Sequence, residues 1–306
     1  MKNLKNIVVG IDYETPSDNA LREAARIAGW DQATLTPVHV LDEEVLRDLQ
    51  RGIEIDLATI IQFGEARLED RVRKVLGENP PVIPRFLIGH PFQEIARLNA
   101  ALPGDLVVLG SHGASGDDTR RLGFLADRCV RKLKQNVLIV RAHQSQPFRK
   151  ITVCIDFSPN SKKAAVQAIH IAQQDNADLE FLHVRTKVSE IAAAPDFYTG
   201  TPATLLPNFD ADHAKEVKKQ LDGFAARLMV DVSGVHHSTR VEQHPKPRKA
   251  IIEHVNASGT DLVVLGTRGH STLVNLLLGS TAEKIIHQSL CSTLVVKPEG
   301  FDYQLD

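Results

Sequence analysis

Short unbroken apolar runs alternate along this chain with stretches whose apolar residues recur every three to four positions. In the second half, "ITVCID" (151–156) reads as a buried strand. "SPNSKKAAVQAIHIAQQ" follows, with apolar residues at 165, 166, 169 and 172, the spacing of an amphipathic helix. Then come strand "LEFLHV", a helix over 211–229, strand "VHHSTRVEQ", helix "RKAIIEHVNAS", strand "DLVVLG", helix "STAEKIIHQSL" and strand "STLVV". Runs of Val, Ile and Leu without polar alternation suit strands covered by helices on both faces. The order β-α-β-α-β-α-β-α-β therefore predicts a doubly wound, five-stranded parallel α/β domain.

The first half carries the same message. "IVVGID" (7–12) returns as "ITVCID" (151–156), and "PVHV" (37–40) as "FLHV" (181–184), both 144 positions later. "GDLVVLGSHG" (104–113) returns as "TDLVVLGTRG" (260–269), and "NVLIV" (136–140) as "STLVV" (292–296), both 156 positions later. Ordered matches with few gaps indicate a duplication. Two tandem domains are expected, 1–144 and 149–300, joined near "RAHQSQPFRK" (141–150). The growing offset places extra residues in the second copy, and "SEIAAAPDFYTGTPATLLPNF" (189–209) is the place for them.

Composition narrows the function classes. A formal net charge of -2, spread almost evenly over the halves, gives no basic footprint for nucleic acid or anionic membranes. No apolar run is long enough for a membrane span, and the N-terminal "NIVVGID" is too short for a signal-peptide core, so a cytoplasmic protein is expected. Cys129, Cys154 and Cys291 are widely spaced, without a CxxC pair, and read as small buried hydrophobes. The 13 histidines show no H-x-x-x-H or Cys/His ligand spacing, so no metal site is expected from them. No nucleophile elbow or carboxylate pair stands near the glycine-rich loop, and no catalytic residue is assigned.

That loop, "LGTRGHSTLVNLLLGST" (265–281), holds the candidate chemistry. In a doubly wound sheet ligands bind beyond the carboxyl ends of strands, where the winding reverses. Asp156 closes the first strand of the second copy and Gly266 the fourth, so the two should face one crevice. Gly266 and Gly269 are expected to turn the backbone with N–H groups inward, and Gly279 to admit a ligand to the next helix. A helix N-terminus suits a phosphate, with Ser280 adding a hydroxyl and Arg268 a charge. "STAE" (280–283) is also a capping box, which would make Ser280 the N-cap for local reasons alone. A P-loop and a G-x-G-x-x-G fingerprint are both absent.

The arrangement G266-x2-G269-x9-G279-S280, with "ITVCIDFS" opening the domain and "FLHV" as its second strand, resembles the ATP-binding branch of the universal stress protein family. The resemblance covers nearly the whole chain as a tandem, two-domain member. It implies that Asp156 contacts the adenine or ribose, with Val184 and Leu265 around the base and nucleoside. Gly266, Arg268, Gly269, Gly279, Ser280 and Thr281 would line the ribose and phosphates. The implied ligand is an adenine nucleotide, ATP foremost, with AMP or ADP as variants and Mg arriving with the nucleotide. The implied role is a stress-response sensor or regulator read by a protein partner that the sequence does not name. The family pairs its domains through their last strands, so "NVLIV" and "STLVV" are expected to pair within the chain, between two chains as a homodimer, or both.

The first copy departs from the motif. Gly110, Gly113 and Gly123 keep the spacing and Asp12 and Val40 remain, but Phe124 stands where a hydroxyl residue belongs. Weak or absent nucleotide binding is expected there, leaving a structural role or a different ligand. Two other readings of the whole chain stay open: a slow nucleotide hydrolase, and a nucleotide-free module for a lipid or other small molecule.

Overall fold

The computed structural model describes residues 4–52, 55–102, 104–111, 122–141, 147–186, 209–269 and 278–300. Most of the insertion expected at 189–209 and residues 270–277 of the glycine loop lie outside them. By its contacts the chain divides into two compact units, Met1–Pro147 together with Ser292–Asp306, and Phe148–Cys291.

The first unit runs β1 (Asn6–Gly10), α1 (Thr15–Asp31), β2 (Thr34–Leu41), α2 (Glu43–Gly52), α3 (Leu57–Leu76), β3 (Arg85–Ile88), α4 (Pro91–Ala101), β4 (Leu106–Gly110), α5 (Phe124–Lys132) and β5 (Asn136–Val140). The second runs β6 (Lys150–Cys154), α6 (Pro159–Asp175), β7 (Asp178–Arg185), α7 (Phe209–Met229), β8 (His237–Gln243), α8 (Pro247–Ala257), β9 (Leu262–Gly266) and α9 (Ser280–Gln288). The chain then returns as β10 (Ser292–Val296), which counts with the first unit.

In the first unit the strands lie in the order β3-β2-β1-β4-β5-β10. Pairing is parallel from β3 to β5, with Ile7 opposite Leu35 on one side and Leu106 on the other. β10 runs antiparallel to β5, Leu294 opposite Leu138. Its start and end are pinned: Arg141 N–H donates to Ser292 Oγ at 3.2 Å, and Lys297 N–H to Asn136 Oδ1 at 3.0 Å. The buried Lys297 ammonium donates to the Val130 carbonyl in the last turn of α5, where a cation meets the negative end of the helix.

In the second unit the order is β9-β6-β7-β8, all parallel. Ile151, Val153, Phe181, Val263 and Val264 are fully buried, which explains why their runs lack polar alternation. α6 buries Ile169 together with Ala164, Ala165, Ala168 and Ala172, four small residues that let the helix approach the sheet closely. Ser158 caps its first turn by accepting from Ser161 N–H, and Asn176 ends it in the left-handed region. The α/β, doubly wound class expected from the periodicity is the class observed.

Candidate functional site

From β6 the chain winds outward to β7 and β8, while β9 lies on the opposite side of β6. The reversal falls between β6 and β9, and the loops leaving their carboxyl ends border a cleft of about 280 Å³. All nine residues singled out in the sequence line it: Asp156, Val184, Leu265, Gly266, Arg268, Gly269, Gly279, Ser280 and Thr281.

Asp156 follows β6 in a tight turn. Its Oδ1 accepts from Ser158 N–H at 3.0 Å and from the Ser158 hydroxyl at 2.5 Å, fixing the carboxylate. Phe157, next in line, has φ of 65°, a left-handed conformation that a non-glycine residue adopts only under constraint. Its ring packs against His183, with centroids 4.9 Å apart, and meets Phe224 edge-on. His183 donates Nδ1–H to the Ile155 carbonyl at 2.7 Å. Burial pulls its pKa below the ordinary imidazole value despite that hydrogen bond, so the ring is neutral at pH 7 and ties the ends of β6 and β7 together.

The glycines serve close approach rather than turning. Gly266, Gly269 and Gly279 all lie outside the positive-φ set. A Cβ on Gly266 would fall 2.6 Å from the Asn160 side-chain amide, and one on Gly269 2.5 Å from Asp156 Oδ2. At Gly279 the neighbour is the Thr267 carbonyl, 3.1 Å from such a Cβ, and Gly279 N–H donates to that same oxygen at 2.8 Å. This bond closes the base of the loop.

Two expectations about the loop need correction. With its oxygen turned to the loop, the Asn160 amide accepts from Thr267 N–H at 2.9 Å and Arg268 N–H at 3.1 Å. Those amides are therefore engaged by the protein and do not aim at a ligand. Nor is Ser280 the N-cap: Gly279 holds that position and Ser280 is the first helical residue. The first intrahelical acceptor is the Gly279 carbonyl, bonded by Glu283 N–H. The N–H groups of Ser280, Thr281 and Ala282 consequently have no partner within α9, and all three residues line the cleft. The Ser280 side chain is exposed and makes no hydrogen bond among the described residues. Thr267, also lining the cleft, has a buried Oγ1 without a partner.

Sequence reasoning missed Asn160, His183 and Thr267. The missed signal at Asn160 was its counterpart in the duplication, 144 positions earlier, which is Pro16. His237 meets Phe181 edge-on and His244 accepts from Lys246 N–H at 2.8 Å. The free cysteines Cys129 and Cys154 behave as hydrophobes, burial pushing both thiols up to about 12.

Comparison with known proteins matches the description "Universal stress protein family" twice, over residues 3–141 and 147–297. The chain belongs to the universal stress protein family. A universal stress protein of Mycolicibacterium smegmatis is 26% identical over 304 residues, covering 95% of this chain and 97% of its own. Universal stress protein YxiE of Bacillus subtilis is 30% identical over 150 residues, covering 49% of this chain and 99% of its own. The solved structure of a universal stress protein from Archaeoglobus fulgidus superposes with a TM-score of 0.60 at 17% identity, over 97% of this chain and 99% of that one, a likeness of fold.

The first unit of this universal stress protein has a corresponding cleft of about 350 Å³, lined by Asp12, Val40, Gly110, Gly123 and Phe124 among others. Here Phe124 is the first residue of α5 and is 79% exposed. The Arg128 guanidinium lies 5.9 Å from its ring and 4.9 Å from that of Phe92. Gly110 packs against the Pro16 backbone, which offers no side-chain amide to hold the following loop.

Proposed function

We propose that the C-terminal cleft binds an adenine nucleotide, ATP foremost, and that the protein acts as a stress-responsive regulator through occupancy of that cleft. The observation that carries this reading is the helix N-terminus at the cleft: three N–H groups without intrahelical acceptors and the unengaged Ser280 hydroxyl face one space. Such a terminus favours phosphate through its donors and its dipole. Asp156, held by Ser158, would accept from ribose hydroxyls or the base. Val184 and Leu265 would supply apolar contact to the nucleoside, and Gly266 and Gly269 would keep its approach free. Arg268 and Thr281 would complete the phosphate end with Gly279 and Ser280. Among the described residues no group of three His, Cys, Asp or Glu is assembled for a metal, so a Mg ion would be carried by the phosphates themselves. The bound nucleotide would order the surface around the loop, and a protein partner would read that surface.

Calorimetric titration of the full chain with ATP, ADP and AMP tests this. Ser280→Phe, which copies the first unit, should weaken ATP about 10- to 100-fold, the worth of a charge-assisted hydrogen bond plus steric loss. Absence of heat with all three nucleotides, or an unchanged affinity in Ser280→Phe, would refute the reading.

A further inference from the structure

The sheet of the second unit ends on an open strand. β8 stands last in the strand order and pairs with β7 alone among the described residues. In that parallel ladder Leu179 N–H donates to the His236 carbonyl at 2.9 Å, and His244 N–H to the Arg185 carbonyl at 3.0 Å. The even-numbered residues of β8 therefore bond inward. The backbone N–H and C=O groups of His237, Thr239, Val241 and Gln243 point away from β7. Seven residues present this edge, none of them proline. The first unit keeps its own edge short, because β3 has four residues and follows Pro84.

A basic wall stands beside the open edge. α7 packs on β8, and Lys215, Lys218 and Lys219 border a groove of about 600 Å³ that Val241 and Gln243 also line. Asp222 is the one carboxylate lining it among the described residues, and Lys218 Nζ meets it at 2.5 Å. Lys215 lies 3.5 Å from Asp212, but both side chains are largely exposed, where an ion pair holds little. The buried Arg185 guanidinium, at one end, is engaged by the Asp210 carbonyl and the Gln243 side chain. When α3 is laid over α7 through the buried Leu68 and Leu221, the three lysines fall on Gln62, Glu65 and Ala66. The lysine row is thus particular to the second copy and is not demanded by the fold.

Lysines near an edge can serve simply to repel a stray strand. These stand on the neighbouring helix, however, and leave the outward backbone groups of β8 uncovered. A strand carrying negative side chains would meet attraction from the wall and hydrogen-bonding partners along the edge. A second copy of β8 would instead bring its own α7 lysines up to these. We propose that β8 and α7 dock an extended acidic segment of a partner protein, added to the open edge as a strand with alternate carboxylates turned to the α7 lysines. Docking there does not depend on a nucleotide in the cleft.

The probe is a fluorescein-labelled heptapeptide alternating Glu and Val, titrated with the full chain and followed by anisotropy. It should bind about tenfold tighter, or more, than the peptide with Lys for each Glu, and weaken as salt is raised. Amide hydrogen exchange at 237, 239, 241 and 243 should be fast in the free protein and slowed by the peptide. Lys215→Glu combined with Lys219→Glu, both at exposed positions, should weaken the peptide about tenfold. Val241→Pro removes an outward N–H and no bond to β7, so the chain should stay folded while peptide affinity falls about tenfold. No binding of the acidic peptide, equal binding of the basic one, or protection of those four amides before peptide is added would each overturn the proposal. So would tighter binding of an oligothymidylate of equal charge, or unchanged affinity in the lysine and Val241 variants.

Discussion

Gly266 and Gly269 lie three residues apart and face different neighbours, the Asn160 amide in one case and the Asp156 carboxylate in the other. The difference separates stability from binding. A methyl group at Gly266 meets a buried, doubly bonded amide that cannot move without releasing two backbone N–H groups, so Gly266→Ala should lose about 1–3 kcal/mol in urea unfolding. At Gly269 the obstacle is one oxygen of a half-buried carboxylate at the end of a short side chain, whose displacement disturbs only its local bonds to Ser158. Gly269→Ala should unfold within about 0.5 kcal/mol of the parent, the usual range away from packed features, while its ATP affinity falls because Asp156 is displaced. Equal loss of stability in both variants would contradict this division. The glycines and Asp156 were legible in the sequence because spacing alone reveals them. Asn160 was not, since nothing local says that a side chain in the first turn of α6 reaches the loop after β9.

Between elements, α8 meets β7 and β8 through a polar cluster. His254 on α8 donates Nε2–H to Glu180 of β7 at 2.5 Å, and its Nδ1 lies 3.6 Å from Glu242 of β8. Burial by itself would raise the Glu180 pKa. The hydrogen bond from His254, with the charges of His254, Lys150 and Arg240, outweighs it and holds the carboxyl below its ordinary 4.5. A carboxylate with a depressed folded-state pKa contributes stability that is full above the unfolded value and is lost as pH falls through the folded one. Thermal stability should therefore decline on acidification below about pH 4.5, and less steeply in Glu180→Gln, which has no proton to take up there. Parallel acid profiles for the two proteins would exclude Glu180 as a source. The equivalence of α5 and α9 as elements was readable from their glycine spacing. That Gly279 rather than Ser280 caps α9 was not, because the sequence admits both and the Gly279–Thr267 closure chooses.

On the scale of the whole molecule, the last strand of the chain is packed with the first unit. β10 is buried along its length and lies beside β5, so β5 has a neighbour on each side. An apolar strand left without that neighbour would expose a row of unpaired backbone groups and invite aggregation. Leu294→Asp, which places a charge at a fully buried position, should speed hydrogen exchange at residues 136–140 and destabilise the first unit. Unchanged exchange there would show that β10 is dispensable to β5.

By itself the sequence determined the duplication, the alternation of strands and helices, and the convergence of Asp156 and the glycine motif at one crevice. Each of these is written in local period or in repeated spacing, which survive without knowledge of what lies across the sheet. The pairing of "NVLIV" with "STLVV" was expected from the resemblance, and the β5–β10 ladder is its within-chain form; only the tertiary structure decided which amides a ligand can reach and which residue caps α9. The first depends on Asn160 reaching a loop more than a hundred residues away and the second on the closure of Gly279 onto Thr267, contacts that form only when the sheet closes and every buried donor finds its acceptor.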